Sequence, residues 1–412
     1  MNRRRPRRFQ SSPSRSGRRL VLPGGLILVV LVVIVALALQ GGGGGGGGGA
    51  KKRGISRIDA VIRVNLLGYL GNGPKQAILL SNRSLGKAEF SVVGGHGVFL
   101  RGSIGRKRPS GWNSRFPFAY ALDFSRFKRT GRYVLELNST PHSRSPSFRV
   151  GAASSLYGPA LARALFFFRA QHDGNQVDAA VLGRRPAHLL DRQAAVYHPP
   201  EYSAAGVLQG GLRPTTGHHN VLGGWFDAGD YLKFVETASY AEALILIADR
   251  DFPALMRSRA HNFMAEGRYE ISWLLKMWDD HTRTLYYQVG IGDGNARLRG
   301  DHDLWRLPQA DDALHAPRGN PRYYVKHRPV FRAGPAGARI SPNLAGRLAA
   351  DFGLCYQIFH RSAPVLATRC LMAGEHVFDL ARTRDVRRLL TTSPHSYYPE
   401  TSWQDDLELG AA

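Results

Sequence analysis

GGWFDAGDYLKF, residues Gly223 to Phe234, sets two carboxylates, Asp227 and Asp230, three positions apart among Trp225, Phe226, Tyr231 and Phe234. Two readings compete for it. An Asp followed three residues later by a second acid, just ahead of an apolar periodic run, is the pattern of a capped helix start. The other reading starts from the same spacing. Three residues is close to one helical turn, so both carboxylates share one face near a helix N-terminus, whose dipole favours their ionised form. An ionised carboxylate serves as a base, and the rings beside it offer flat apolar surfaces with polar edges, a match to the CH face of a sugar ring. A bare Asp-x-x-Asp favours the cap; the surroundings shift the balance toward a site.

Working outward, the run that follows is helical. From Asp230 to Arg250, the residues Phe234, Val235, Ala238, Ala241, Ile245 and Ala248 fall on one stripe. Further helices are expected over Leu156 to Gln171, His261 to Trp278, Leu344 to Arg361, Val365 to Thr383 and Ser402 to Ala412. Long loops intervene, Gln171 to Gly229 and Asp279 to Asn343, and loops of that size in a compact domain carry function.

Ahead of residue 156 the period changes to two. Ile62, Val64 and Leu66 alternate with Arg63 and Asn65, and Tyr133, Leu135 and Leu137 alternate with Val134 and Glu136. With QAILLSN, EFSVV, GVFLRGSI, FAYALDF and PSFRV, about seven short strands bounded by turn residues predict a small antiparallel sandwich over 58–150. At the other end of the chain's first sixty residues, a basic tail (1–19) precedes LVLPGGLILVVLVVIVALAL (20–39), an uncharged run long enough to cross a hydrocarbon core. The positive flank predicts a single-pass cell-membrane protein with its N-terminus in the cytoplasm and the rest extracellular. The competing reading is a secretory signal cleaved after Ala36 and Ala38, which gives a secreted protein. A glycine run, Gly41 to Gly49, lies within a flexible tether over 40–57.

The formal charge is +25, with eight arginines in the first nineteen residues. No dense basic block interleaved with aromatics follows Arg53, so the charge reads as a scattered solvated surface and not as a nucleic-acid footprint. Cys355 and Cys370 are too few for a disulfide framework or a cysteine zinc site, and are expected on apolar helix faces; the sequence leaves open whether they pair. No cofactor motif and no metal cluster is read, and the GIGDGN loop, with one Asp among glycines, reads as a turn. Nothing in the composition calls for more than a monomer.

The opening stretch resembles the signature of glycoside hydrolase family 9, the endoglucanase family built on an (α/α)6 barrel. ALFFFRAQHDG, DRQAAVYHPP, ISWLLKMWD, LYYQVGIGDGN, DHDLWRLP, ISPNLAGRLAA and YYPETSWQDDLELGAA are similar to successive blocks of its catalytic domain in the family's order. IRVNLLGY followed by PKQAILL resembles the immunoglobulin-like domain that precedes such barrels. The resemblance implies a multidomain chain: an N-terminal transmembrane segment, an all-β immunoglobulin-like sandwich, and then an all-α barrel over 156–412. It also implies hydrolysis of β-1,4-glucosidic bonds in cellulose or a related β-glucan with inversion. Asp230 would be the general base that deprotonates water and Asp227 would help hold that water. Trp225, Tyr231, His302 and Trp305 would lie along the sugar cleft.

Two departures qualify the resemblance. Gln309 stands in WRLPQADD where the family has Glu. The family's general acid is a glutamate near the end of the barrel, and neither Glu400 nor Glu408 sits in a block similar to the acid's. LELGAA ends in the middle of a helical pattern, so the chain is expected to be truncated, with about half of the barrel present, its general acid absent, and the chain as given inactive. A half barrel is expected to leave Phe234, Val235 and Ile245 unpartnered. The alternative function is a non-catalytic carbohydrate-binding protein at the cell surface.

Overall fold

Nine strands lie between Ala60 and Gly151: β1 (Ala60–Arg63), β2 (Tyr69–Leu70), β3 (Gln76–Ser81), β4 (Glu89–Gly94), β5 (Gly97–Ser103), β6 (Phe118–Asp123), β7 (Gly131–Leu137), β8 (Ser143–Arg144) and β9 (Phe148–Gly151). This is a computed structural model, and it describes residues 58–258 and 261–412. One sheet has the order β1-β3-β6 and the other β2-β9-β7-β4-β5, with β8 on β7. The period-two pattern sets which side chains meet between them. Tyr133, Leu135 and Leu137 of β7 point inward with Ile62, Leu79, Phe90 and Leu122, while Arg132 faces out. A single residue, Ala152, separates β9 from the first helix, so the sandwich runs directly into the helical part.

Six helices of eight residues or more occur among the described residues: α1 (Ala153–Ala170), α2 (Val235–Asp251), α3 (Phe263–Met277), α4 (Pro342–Phe359), α5 (Pro364–Asp379) and α6 (Gln404–Ala411). α4 is central: α2, α3, α5 and α6 all pack on it, and Leu344, Leu348, Phe352 and Cys355 are buried in the shared core with Leu246, Ile271 and Val377. The α4–α6 crossing is close because Gly346 has no side chain. A Cβ there would stand 2.4 Å from the backbone of Asp406. Cys355 on α4 and Cys370 on α5 form a disulfide with Cα atoms 6.2 Å apart.

Three expectations are corrected. The second part is not all-α: a six-stranded sheet runs through its loops, in the order β11-β10-β15-β14-β12, with β13 on β14. The strands are β10 (Ala194–Tyr197), β11 (Pro214–His219), β12 (Lys233–Phe234), β13 (Trp278–Asp279), β14 (Thr284–Val289) and β15 (Val330–Arg332). β14, TLYYQV, is buried at every position, Thr284 and Gln288 included, so its sequence carries no apolar–polar alternation to betray a strand. Second, no helix among the described residues is long and apolar enough to cross a membrane. The apolar run at 20–39, its basic tail and the tether lie outside the described residues. Third, Phe234, Val235 and Ile245 are not left bare but buried within this chain.

Candidate active site

Asp227 and Asp230 sit in a loop, not on a helix. The helix begins only at Val235, because Lys233 and Phe234 are drawn into β12 opposite Val289 and Gln288 of β14. Within the loop, Asp230 Oδ1 accepts the N–H of Leu232 at 3.0 Å, and Asp227 donates its own N–H to the carbonyl of Leu232 at 2.9 Å. An Asp side chain that bonds the backbone two residues on favours such a turn over helix. Ahead of it, Gly223 and Gly224 have φ of +98° and +80°, and a Cβ on Gly224 would meet the Trp273 ring at 2.5 Å. Only glycine fits there.

The loop is held from below by Lys233. Its ammonium is fully buried and reaches Asp173 Oδ2 at 2.8 Å, Asp191 Oδ2 at 2.9 Å, and the carbonyls of Val221 and Gly223 at 2.9 and 2.8 Å. Asp173 also takes Arg328 at 2.9 Å and His188 at 2.9 Å, and His188 passes on to Asp311 at 3.0 Å. Burial pushes the Asp173 carboxyl up, but Lys233, His188 and Arg328 together hold it below the usual carboxylate range. His188 is raised despite its burial and the nearby Arg328, because carboxylates flank it on both sides. Arg306 extends the network by pairing with both Asp311 and Asp301, and Asp301 Oδ2 accepts the N–H of Tyr231 at 2.8 Å.

Above this base lies a cleft of about 590 Å³ whose lining includes Asp230, Tyr231, His302 and Trp305. Trp305 is 100% exposed. The Tyr231 hydroxyl donates to the Arg306 carbonyl at 2.5 Å, and the Arg306 guanidinium stands 4.8 Å from the Tyr231 ring centroid. His302 Nε2 meets Asp230 Oδ2 at 2.9 Å. The hydrogen bond to Asp230 raises the His302 imidazole above its ordinary value, against the effect of burial. Four of the six sequence-expected residues therefore gather at one cleft.

The other two are set back. Asp227 takes hydrogen bonds from Thr237 and Tyr398 on its two oxygens, each at 2.5 Å. Burial pushes its carboxyl up and the Asp230 charge adds to that, while the two hydroxyls oppose it. Trp225 is 5% exposed and does not line the cleft: its Nε1 donates to Glu266 at 2.8 Å and its ring packs on Phe168, 4.7 Å between centroids. It belongs to the core beneath the loop and not to a sugar surface.

Sequence reasoning missed Lys233, Asp173, Asp191, His188, Arg328, Tyr397 and Tyr398. The one available signal was Lys233 itself, a cation between Leu232 and Phe234 inside an apolar stretch. Gln309 opens a short helical turn, with its Oε1 buried and lacking a hydrogen-bond partner. Glu400 is engaged by Arg347 and by Asn343 Nδ2, the latter at 2.8 Å. No group of three or more His, Cys, Asp or Glu among the described residues is arranged to hold a metal.

Comparison with known proteins bears on this constellation. Over residues 157–412 the chain matches the glycosyl hydrolase family 9 model, and over 58–141 that of the cellulase N-terminal ig-like domain. It is 26% identical over 274 residues to Endoglucanase 3 of Oryza sativa subsp. japonica, covering 64% of this chain and 46% of that protein. It is 26% identical over 240 residues to a xyloglucan-specific endo-beta-1,4-glucanase of Bacteroides ovatus, covering 55% of this chain and 38% of that one. The chain thus spans less than half the length of these relatives. In fold it is similar to a thermostable endoglucanase from Alicyclobacillus acidocaldarius, with a TM-score of 0.56, 20% identity, and coverage of 85% of this chain and 58% of the other. Because the family match takes in more than half of the chain, including the Asp227–Asp230 loop and the cleft above it, the protein belongs to glycosyl hydrolase family 9.

Proposed function

We propose that the chain carries the water-activating face of a glycoside hydrolase site for β-1,4-glucans. Asp230 is the general base, Asp227 helps hold the attacking water, and the reaction inverts the anomeric carbon. The observation that carries this reading is Asp230 at the wall of a cleft whose rim holds a fully exposed indole, Trp305. An exposed Trp gains most when a flat apolar face, such as that of a glucosyl ring, covers it. A carboxylate oxygen has more than one lone-pair site, so Asp230 retains acceptor capacity for water beyond its bonds to Leu232 and His302. Asp227 is set back from the cleft, with the Thr237 and Tyr398 hydroxyls fixing its two oxygens, and this placement behind Asp230 supports a part in holding water. Inversion would place the base and a separate acid about 6.5–9.5 Å apart to admit that water.

A second reading, glycan binding without turnover, is favoured by one observation. Glu400 is occupied by Arg347 and Asn343 and so is poorly disposed to protonate a leaving group. Titration calorimetry with cello-oligosaccharides, alongside reducing-sugar release from soluble β-1,4-glucan, separates the two. Binding with hydrolysis supports the first reading and binding alone the second. No binding to cello-oligosaccharides would overturn both.

A further inference from the structure

His302 meets an acceptor on both ring nitrogens. Nε2 lies 2.9 Å from Asp230 Oδ2; Nδ1 lies 3.2 Å from the Tyr397 hydroxyl and 3.5 Å from Asp293 Oδ1. The direction of the Tyr397 bond follows from counting protons. A phenol has one proton and two lone pairs. Tyr397 Oη accepts the backbone N–H of Asp293 at 3.1 Å and lies 3.0 Å from Asp293 Oδ2, which as a carboxylate has no proton to give. The phenolic proton therefore goes to Asp293, and the remaining lone pair faces His302 Nδ1. That nitrogen must carry a hydrogen, as must Nε2 opposite Asp230.

We infer that Asp293, acting through His302 with Tyr397 setting the direction of the proton, is a positioning residue for Asp230. It holds the imidazole doubly protonated, so that one N–H is always aimed at the base and fixes its carboxylate plane beside the cleft. This rests on the reading of Asp230 as the base. The charged and titratable groups that face His302 agree in sign: Asp293 and Asp301 from its own loop, Asp230 and the more distant Asp227 from the loop before β12, and the neutral phenol of Tyr397. Loss of Asp293 frees the phenolic proton to turn toward Nδ1, which then needs no hydrogen of its own. The ion pair with Asp230 would then dissolve at a lower pH.

The test is an NMR titration of the His302 ring in the whole chain, without substrate, for wild type, Asp293→Asn, Asp293→Glu and Tyr397→Phe. Asp293→Asn should lower the His302 midpoint by about one pH unit, the lower end of the effect of a neighbouring charge. Asp293→Glu, which keeps the charge, should restore it, and Tyr397→Phe should lower it by less. A midpoint within about 0.3 unit of wild type in Asp293→Asn, or a larger fall in Tyr397→Phe than in Asp293→Asn, would overturn the inference. Where turnover is measurable, the alkaline limb of kcat/KM should move down with the same midpoint. Failure of the hydrolase reading leaves the ring titration untouched, so the two failures are distinguishable.

Discussion

Lys233 Nζ lies 2.8 Å from Asp173 Oδ2, with both side chains wholly buried, and this pair fixes the strand from which the Asp227–Asp230 loop departs. Lys233→Met would remove one of the two cations that Asp173 and Asp191 share, leaving Arg328 to face both. Removing one partner of a buried pair costs about 3–5 kcal/mol, because the other charge stays behind uncompensated. Urea unfolding should register that loss together with weaker binding of cello-oligosaccharides. A cost below about 1 kcal/mol would mean that Arg328 alone satisfies both carboxylates.

Trp305 and Trp225 should behave oppositely. Trp305 is fully exposed, so Trp305→Ala should leave the unfolding midpoint unchanged and weaken cello-oligosaccharide binding by about two- to tenfold, the worth of an aromatic face. Trp225 is packed in the core, and Trp225→Ala should cost about 3–5 kcal/mol of stability. Calorimetry and thermal unfolding on the two variants check the contrast.

Three carboxylates in the helical core, Glu242, Glu270 and Asp351, are fully buried and have oxygens without hydrogen-bond partners. Burial pushes each well above its ordinary value, and neighbouring carboxylates add to it, Asp351 and Glu270 at Glu242, Glu266 at Glu270, and Glu270 at Asp351. A raised folded-state value means that the folded chain holds protons the unfolded chain has released. Stability from this source is therefore full below the ordinary values of 4.5 for Glu and 3.8 for Asp, and is lost as the pH climbs above them. The thermal midpoint should fall between pH 5 and pH 8, and Glu242→Gln with Asp351→Asn should flatten that fall. If the double variant is less stable than wild type at pH 8, these groups are ionised and paired in solution.

The Cys355–Cys370 disulfide closes a loop with a sequence separation of 15 between two packed helices. Cross-links of that span contribute about 3 kcal/mol. Unfolding with and without reductant, set against Cys355→Ser, should show a loss of this order in both cases.

Helices with a buried stripe were legible in the sequence: the expected span from Val365 to Thr383 compares with Pro364–Asp379, where Ala367, Cys370, Ala373, Gly374 and Val377 are buried. The start of α2 was misread because Asp230 bonds the Leu232 N–H and β14 captures Lys233 and Phe234, a tertiary pairing that the local pattern does not contain. The sheet was missed for the same reason, since β14 is buried on both faces and its sequence, TLYYQV, shows no alternation. At the site, Asp230, Tyr231, His302 and Trp305 were readable from their motif blocks and do share a cleft. Trp225 was not, because the first part of the motif, Trp225 and Phe226, turns into the core, and only Gly229, Asp230 and Tyr231 reach the cleft. The Lys233 network stayed hidden because its members come from positions 173, 191 and 328, which no local spacing connects.

The most direct measurement of the central claim is hydrolysis of an aryl β-cellobioside with a strongly acidic phenol leaving group, which needs no proton donor and so reads the water-activating base alone. Phenol release is followed by absorbance and the anomer of the cellobiose product by NMR, in wild type, Asp227→Ala and Asp230→Ala. The account predicts a measurable wild-type rate giving the α-anomer, a loss of about 10²–10⁴-fold in Asp230→Ala, and a smaller loss in Asp227→Ala. Undiminished release by Asp230→Ala, or a β-anomeric product, would contradict it.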